Sequence, residues 1–357
     1  MDELQRWRTP AAWRRPGAVA ITQRSPVHAG DGSFAALQEA GFTVSIAPLR
    51  DERGNVTEAV QRADVVISGG QPLTAEEICR MRTCRLLLRP YVGFDDIDVD
   101  AATNCGILFA NVPDAFSVEV ANHTLALMLA LNRGLLRMDR YVREGAWRRR
   151  RSRADLELHR PTAQTLGLVG FGVIARMVAE RAAPFGYRLL VSDPYIPPQV
   201  GADYGATLVP LERLLAESDV VSLHVLLNAS TRHLINAERL AQMKPGAVLI
   251  NTCRGPVVDE AALVAALTSG HLGGAGLDVF DPEPIGPDHP FVTMEQVILT
   301  PHAASQSVEG AAQLRRRVAE ISAAVAGGAL PERKVVVNKA LYDRLTALPE
   351  LANVPRA

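Results

Sequence analysis

The stretch Leu166–Asp193, LGLVGFGVIARMVAERAAPFGYRLLVSD, contains the pattern that decides the fold. A short apolar run predicts a buried strand, a Gly-Phe-Gly turn at residues 170–172 follows it, and a helical pattern comes next. Asp193 ends the following apolar run, 23 positions after Gly170. A Gly-x-Gly-x-x-Ala turn between a strand and a helix, with an acidic residue about 20 positions later, is typical of a dinucleotide-binding βαβ unit.

Each residue of this pattern has a physical role in the predicted unit. Gly170 allows the tight turn, and Gly172 lets the backbone approach a pyrophosphate whose charge the helix N-terminus stabilises. The carboxylate of Asp193 would accept hydrogen bonds from the ribose hydroxyls and repel a 2′-phosphate, so the pattern predicts NAD (NADH) rather than NADP. The alternative is an ordinary strand-turn-helix unit that binds no ligand.

Strand and helix patterns alternate on both sides of this unit. Six strand-like runs between residues 165 and 302 are separated by segments of helix length, which predicts a doubly wound parallel sheet. Four more such runs lie between residues 18 and 93 and predict a second parallel α/β domain. The sequence therefore predicts the α/β fold class, with two domains in 357 residues.

The composition argues against several classes of protein. The chain has 38 basic and 39 acidic side chains, so its net charge of -1 creates no global field that attracts nucleic acid or a membrane surface. No segment approaches the roughly 20 apolar residues that span a bilayer, and we expect the polar first fifteen residues to be frayed. The four cysteines have no metal-ligand spacing. We therefore expect free thiols, no metal site and a cytoplasmic location.

The segment from Ser117 to Gly145 predicts one long helix with apolar residues on more than one face. Such a helix has to be covered on several sides, and we expect it to form the interface of a homodimer. The run Arg148–Arg151 follows it. This run is either solvated surface or, together with residues up to Arg153, a binding site for an anionic part of the substrate.

Three candidate catalytic residues, Arg254, Glu283 and His302, follow three apolar strand patterns. Because the carboxyl ends of parallel strands meet at one edge of a sheet, these side chains can converge. A guanidinium binds a carboxylate, a histidine exchanges a proton near neutral pH, and a carboxylate fixes the imidazole tautomer. Together they predict reduction of a 2-keto acid. The structural alternatives are an ion pair of Arg254 with Asp259, a turn capped by Glu283 and an interior polar His302.

Four motifs carry a family resemblance: LGLVGFGVIA, NTCRGPVVDE, GAGLDVFDPEP and ILTPHAA. In this order and spacing they resemble the D-isomer-specific 2-hydroxyacid dehydrogenase family, and the likeness extends from about Ala18 to Lys339. Within the family, GFDDIDVDAA and HLIN are most similar to the C-terminal-binding proteins, which are dehydrogenase-like corepressors. The resemblance implies two Rossmann-like domains. One is a discontinuous, flavodoxin-like substrate domain at residues 16–115 and 306–340, and the other is an NAD-binding domain at residues 116–305.

The resemblance also implies roles for individual residues. The catalytic trio is again Arg254, Glu283 and His302. Arg254 would also bind the substrate, together with three residues of the RPYVG loop: the backbone amides of Val92 and Gly93, with Arg89 close by. Further cofactor contacts are implied for Val173 and Ile174 at the pyrophosphate, for Val225 after the SLH run, for Thr252 and Cys253 near the nicotinamide, and for Asp278 at its carboxamide.

Some positions depart from the family pattern. Asn122 replaces the glutamate of VAEH, Leu226 replaces the proline of LHxP, and Val173 replaces a common arginine. Two positions also argue against particular substrates. Formate dehydrogenases resemble the chain but carry glutamine where it has Glu283, and the phosphite enzymes carry lysine where it has Val92.

The sequence thus predicts an NAD-dependent D-2-hydroxyacid dehydrogenase, or 2-keto acid reductase, in which His302 acts as acid and base. The expected ligands are NAD (NADH) and a small 2-hydroxy or 2-keto acid. The alternative is an NAD(H)-sensing, corepressor-like binding protein with little turnover.

Overall fold

The computed structural model describes residues 4–7, 17–22, 25–27, 32, 34–39, 41–145, 147 and 158–351. The chain forms two compact units. Unit 1 consists of Met1–Ala115 with Ser307–Ala357, and unit 2 consists of Phe116–Gln306. The arginine run at residues 148–153 lies outside the described residues, so its two interpretations stay open.

Unit 1 is built on a five-stranded parallel sheet in the order β2-β1-β3-β4-β5. The strands consist mainly of apolar residues, and β3, β4 and β5 are buried along their whole length, as expected for parallel strands covered on both faces. Strand β5 was not predicted from the sequence. The five strands are β1 Ala18–Thr22, β2 Thr43–Ala47, β3 Val65–Ile67, β4 Leu86–Arg89 and β5 Leu108–Asn111.

Two short helices of unit 1 begin at residues whose side chains satisfy free backbone N–H groups. Thr74 and Glu77 form a reciprocal capping box, and Asp98 accepts a hydrogen bond from the amide of Ala101. The helices are α1 Ala35–Glu39, α2 Glu58–Gln61, α3 Ala75–Cys79, α4 Val99–Asn104, α12 Val308–Ala326 and α13 Lys339–Thr346, counting the helices of unit 2 as α5 to α11.

The segment KVVVNK returns to the sheet of unit 1. Val336 forms an antiparallel bridge with Ala110 of β5. The side chain of Asn338 accepts a hydrogen bond from the amide of Phe109 at 2.9 Å and donates one to the carbonyl of Ile107 at 2.9 Å. Residues more than 220 positions apart are therefore joined in one unit.

A disulfide joins Cys79, the last residue of α3, to Cys105, which directly follows α4. Their Cα atoms are 5.5 Å apart, within the usual range for a disulfide. The expectation of four free thiols is therefore wrong for this pair and holds for Cys84 and Cys253. The reason is tertiary, because packing of α3 against α4 brings together two cysteines that are 26 positions apart.

Residues 4–7 are not frayed, which corrects the expectation for this part of the N-terminal segment. The side chain of Trp7 is completely buried, and its indole Nε1 donates a hydrogen bond to the carbonyl of Gly106 at 2.8 Å. A buried indole needs a partner for its N–H, and this carbonyl provides it.

Unit 2 is built on a seven-stranded parallel sheet in the order β12-β11-β10-β9-β6-β7-β8. The chain enters at the central strand β6, moves outward to β8, and then crosses to β9 on the other side of β6. The carboxyl ends of β6 and β9 therefore form the topological switch point at which doubly wound sheets bind ligands. The strands are β6 Thr165–Val169, β7 Arg188–Ser192, β8 Ala206–Leu208, β9 Val220–Leu223, β10 Val248–Asn251, β11 Gly274–Leu277 and β12 Val297–Leu299.

The predicted long helix from Ser117 to Gly145 is two helices. They are α5 Ser117–Asn132 and α6 Leu135–Arg143, and Gly134 between them has a φ of 57°, in the left-handed region that interrupts a helix. The buried face of α5 packs beside α7 and over the sheet. The remaining helices of unit 2 are α7 Val173–Ala182, α8 Pro198–Ala202, α9 Leu211–Glu217, α10 Ala237–Gln242 and α11 Glu260–Thr268.

Among the residues that the structure describes, none of the helices combines the length and the apolar character that a membrane span requires. The same residues contain no group of three or more His, Cys, Asp or Glu side chains arranged to hold a metal ion.

Candidate active site

The glycine-rich turn connects β6 to α7 at the switch point. Gly170 has a φ of 84°, and a Cβ atom on it would lie 2.6 Å from the carbonyl oxygen of His224, the residue that follows β9. Only glycine fits this conformation and this close approach. The amide of Phe171 donates a hydrogen bond to Asp193 at 2.8 Å, so the acidic residue at the end of β7 also holds the turn.

The start of α7 has the shape that a pyrophosphate requires. Gly172 is the N-cap of this helix, and a Cβ atom on it would meet no atom within 4 Å. Val173 follows as the first helical residue, and its side chain is exposed. The backbone N–H groups of this ten-residue helix are therefore open to an anion. One carboxylate oxygen of Asp193 accepts the hydrogen bond from the amide of Phe171, and the other accepts a hydrogen bond from the amide of Tyr195. The carboxylate therefore lies beside the glycine-rich turn.

The other predicted cofactor residues lie after neighbouring strands of the same sheet. Val225 follows β9, and its Cγ1 would be 3.0 Å from a Cβ atom on Gly170. The hydroxyl of Thr252 is 2.9 Å from that of Thr124 in α5. Burial raises the pKa of the Cys253 thiol to about 11, so this side chain is neutral at physiological pH.

Asn251 fixes the loop that carries Arg254. Its side chain donates a hydrogen bond to the carbonyl of Arg254 at 2.9 Å and accepts one from the amide of Cys253 at 3.1 Å. Asn251 was not among the predicted site residues, although an asparagine at the end of an apolar strand pattern is a signal that could have indicated it. Asp259, the suggested partner of Arg254, caps α11 by accepting a hydrogen bond from the amide of Ala262.

Glu283 and His302 form a direct pair at the ends of β11 and β12. His302 Nδ1 is 2.7 Å from Glu283 Oε2, and Glu283 Oε1 accepts a hydrogen bond from the amide of Phe280 at 2.9 Å. The histidine side chain is 49% exposed, so it is not an interior polar group. Glu283 caps a turn, as the structural alternative for this residue predicted, and it also orients the imidazole of His302.

The pair changes the acidity of both groups. The hydrogen bond with Glu283 raises the pKa of His302 above its ordinary value, against the lowering effects of burial and of the positive charge of Arg254. Burial raises the pKa of Glu283, but the hydrogen bonds from His302 and Phe280 outweigh it, so its net shift is downward. The pair therefore favours the ionised form of the Glu283 carboxylate and the protonated form of the His302 imidazole.

Asp278 holds His302 in an unusual backbone conformation. His302 has a φ of 50°, a value that residues other than glycine rarely adopt, and its amide donates a hydrogen bond to the carbonyl of Asp278 at 2.8 Å. The buried carboxylate of Asp278 accepts hydrogen bonds from the amides of Ala303 and Ala304, at 2.8 and 2.9 Å, and from the hydroxyl of Thr300 at 2.6 Å. The side chain of Asp278 thus supports the turn that presents His302.

The predicted substrate loop lies after β4 of unit 1. Arg89 is buried, and its Nη2 donates to both carboxylate oxygens of Asp96, at 2.9 and 2.6 Å. The carbonyl of Val92 accepts a hydrogen bond from the side chain of Asn111 at 2.8 Å, which fixes the segment that precedes Gly93. The guanidinium of Arg89 is thus engaged within unit 1.

These observations define a class of protein: an oxidoreductase that uses a nicotinamide dinucleotide. Residues 125–304 match the sequence model of the NAD-binding domain of D-isomer specific 2-hydroxyacid dehydrogenases. The chain belongs to the D-isomer-specific 2-hydroxyacid dehydrogenase family. The predicted family, fold class, cofactor NAD(H) and oxidoreductase class are thereby confirmed.

Individual relatives agree with this assignment. A glyoxylate reductase of Korarchaeum cryptofilum is 41% identical over 281 residues, covering 78% of this chain and 85% of the relative. A D-3-phosphoglycerate dehydrogenase of Methanocaldococcus jannaschii is 37% identical over 92% of this chain, which spans 62% of that longer protein. A D-lactate dehydrogenase structure from Aquifex aeolicus, complexed with NAD and lactic acid, has a TM-score of 0.75, 30% identity and coverage of 87% of this chain and 96% of that one.

Proposed function

We propose that the protein reduces a small 2-keto acid with NADH and that His302 is the proton donor. The observation that carries the proposal is the 2.7 Å contact between His302 Nδ1 and Glu283 Oε2. Because Nδ1–H donates a hydrogen bond to the Glu283 carboxylate, Nε2 is the nitrogen that exchanges a proton with the substrate. The hydrogen bond with Glu283 also raises the pKa of His302, which favours the protonated imidazolium that the reduction requires.

Few residues take part in the proposed reaction. NADH, when bound, supplies the hydride that is added to the carbonyl carbon. The guanidinium of Arg254 binds the substrate carboxylate. His302 transfers the Nε2 proton to the carbonyl oxygen, which becomes a hydroxyl, and remains as a neutral imidazole still bound to Glu283. Its exposed ring can then regain a proton from water. In the oxidative direction, the neutral imidazole accepts the hydroxyl proton.

The proposed binding residues are the ones that the sequence indicates. For the cofactor they are the turn residues Gly170 and Gly172, the helix start at Val173 and Ile174, the carboxylate of Asp193, and Val225, Thr252, Cys253 and Asp278 around the nicotinamide. For the substrate we propose the backbone amides of Val92 and Gly93, with Arg89 holding their loop through Asp96. The open space around Gly172 and the turn contact of Asp193 support the cofactor set.

The first experiment compares His302→Ala with the wild type on a panel of 2-keto acids, following NADH oxidation. General acid catalysis contributes about 10²- to 10⁴-fold, so kcat should fall by that factor while NADH binding, followed by fluorescence, is retained. His271→Ala is a matched control, because His271 precedes β11 at the opposite edge of the sheet. Wild-type turnover in His302→Ala would contradict the proton-transfer role.

The panel also tests the choice of substrate and the rival function. Glyoxylate, pyruvate, hydroxypyruvate and 3-phosphohydroxypyruvate, each with NADH and NADPH, separate small, hydroxylated and phosphorylated substrates. The similarity to a glyoxylate reductase and to other named dehydrogenases favours an enzyme over an NAD(H)-sensing binding protein. Tight NADH binding without turnover of any keto acid would instead support the sensor.

We also propose that the protein is a homodimer that uses the segment 117–145. No residue of α6 is buried, although the side chains of Leu135, Leu136 and Val142 are apolar and exposed. Beside this helix, a cavity of about 340 Å³ lies along the amino-terminal edge of the sheet in unit 2. Replacing Leu135 and Val142 by glutamate should give a monomer in light scattering, and an unchanged mass would contradict this interface.

A further inference from the structure

The loop that carries Glu283 is mostly exposed, although Glu283 has to stay at a fixed distance from His302. Residues 281–290, here called the Glu283 loop, lie between the buried side chains of Phe280 and Phe291. Within the loop, only Ile285 and His289 are partly buried. An exposed loop of this length needs specific contacts to hold a 2.7 Å hydrogen bond in place.

Glu260 supplies such contacts at both ends of the Glu283 loop. It is the first residue of α11, and its side chain is 15% exposed. Oε1 accepts a hydrogen bond from the amide of Asp281 at 2.8 Å, and Oε2 lies 3.3 Å from Nε2 of His289. One carboxylate therefore joins the second residue before Glu283 to the sixth residue after it.

The tautomer of His289 follows from its other contact. Nδ1 accepts a hydrogen bond from the amide of Phe291, at 3.4 Å, so the ring proton of the neutral form is on Nε2. Nε2–H then points toward the carboxylate of Glu260, and the imidazole lies against the Phe291 ring with centroids 4.7 Å apart. The contact with Glu260 thus does not depend on protonation of His289.

The charges around Glu260 come from the loop itself and from a neighbouring segment. Burial raises the pKa of Glu260, and the carboxylate of Asp281 adds to this, against the lowering effects of the Asp281 amide and of His289. Arg232 Nη1 lies 3.7 Å from the carboxylate of Asp281 and partly compensates its charge. Glu260 therefore has hydrogen-bond donors on both of its oxygens, as a buried carboxylate requires.

We propose that Glu260 and His289 form a positioning pair that holds the Glu283 loop against His302 and thereby keeps the imidazole oriented. The inference rests on the proposed function, in which His302 transfers the proton. Neither residue contacts the reacting groups in this scheme. Their effect reaches the substrate through Glu283.

The test compares four variants. Glu260→Ala removes both hydrogen bonds and should lower kcat for keto acid reduction about tenfold, because small displacements of catalytic groups have large effects on rate. Glu260→Gln can still accept from the Asp281 amide, and His289→Ala leaves that bond intact, so both should have smaller effects. Glu238→Ala is the matched control, since Glu238 is an exposed first-turn residue of the neighbouring helix α10.

A readout specific to positioning is the pH dependence. His302 is faced by Glu283, Arg254 and Asp278, and only its contact with Glu283 should weaken in Glu260→Ala. The fall of kcat at alkaline pH should therefore move to lower pH, and the NMR titration of the His302 ring should move with it. KM for the keto acid should change less than kcat, because Arg254 is untouched.

The outcomes separate this inference from the proposed function. A folded Glu260→Ala variant with wild-type kcat and an unshifted alkaline limb would overturn the positioning role, while a damaged His302→Ala would still uphold the proton donor. If Glu260→Ala fails to fold, the variants Glu260→Gln and His289→Ala test the inference. Wild-type pH profiles in both of them would overturn it. An unaffected His302→Ala would instead remove the proposed function.

Discussion

The backbone of Gly255 lies directly against the backbone of Phe280. A Cβ atom on Gly255 would be 2.0 Å from both the carbonyl carbon and the carbonyl oxygen of Phe280. Gly255 directly follows Arg254. The amide of Phe280 donates a hydrogen bond to Glu283 at 2.9 Å. One close contact that leaves no room for a side chain therefore sets the spacing between the loop that carries Arg254 and the loop that carries Glu283.

Gly255→Ala should separate these two loops. Because the added methyl group meets backbone atoms rather than a flexible side chain, one loop has to shift. A displacement of about 1 Å at an active site can cost about 100-fold in rate, so kcat/KM should fall by that order. The measurement is steady-state reduction of the best keto acid, with the thermal midpoint recorded to confirm folding.

The control for this variant is Gly286→Ala. Gly286 is also in the Glu283 loop, and a Cβ atom there would meet nothing within 4 Å. Its kcat/KM should stay near the wild-type value. If Gly255→Ala retained full activity, the close approach would have no functional importance.

Glu283→Gln should move the alkaline limit of activity. Reduction needs protonated His302, so the rate is high below the pKa of that histidine and is lost as pH rises through it. Glu283 raises this pKa above its ordinary value, and removing the negative charge lowers it. The pH at which kcat/KM is half-maximal should therefore be lower in the variant. Glu295→Gln, an exposed substitution, is the control, and equal limits in both variants would rule out the proposed pairing.

Asp278→Asn should weaken the turn that presents His302. An amide nitrogen cannot accept a hydrogen bond, so one of the three donors on this buried side chain loses its partner. An unsatisfied buried group costs about 1 to 3 kcal/mol. We expect lower kcat and faster hydrogen exchange at Ala303 and Ala304.

The exposed substitution Asp288→Asn is the control for that experiment. Unchanged exchange rates at residues 303 and 304 in Asp278→Asn would show that the turn does not depend on the carboxylate. Reduced NADH affinity in Asp278→Asn would in addition support the proposed contact with the nicotinamide carboxamide.

The disulfide between Cys79 and Cys105 should stabilise unit 1. Closing a loop of 26 positions corresponds to about 3 to 4 kcal/mol in the chain-entropy description. A reductant should therefore lower the thermal midpoint of the wild-type protein. The double variant Cys79→Ser/Cys105→Ser should melt at the lower temperature and should not respond to reductant. An equal response of both proteins would mean that the reductant acts elsewhere.

The positions of many candidate site residues could be predicted from the sequence because these residues follow strands. The glycine turn, Asp193, Arg254, Glu283 and His302 are each adjacent to an apolar run, and parallel strands present their carboxyl ends at one edge. Local pattern therefore predicted which residues lie near each other in unit 2. The strands β5 and β8 were not predicted, and they have only four and three residues.

Contacts between distant segments were not predictable in this way. Cys79 meets Cys105 because two short helices pack together. The helix break at Gly134, which has a left-handed backbone conformation, was also not predicted, because the pattern around it is typical of one helix. The support of His302 by Asp278 likewise depends on the turn formed by the two alanines that follow the histidine.

The sequence by itself determined the two α/β units, the dinucleotide turn and the candidate catalytic groups, because strand patterns and turn glycines are local properties of the chain. The tertiary structure alone decided how those groups are held. Asn251 fixes the arginine loop, Glu260 and His289 contact both ends of the Glu283 loop, and Gly255 meets Phe280. These contacts join different loops, and their distances depend on packing of the whole unit rather than on any local pattern.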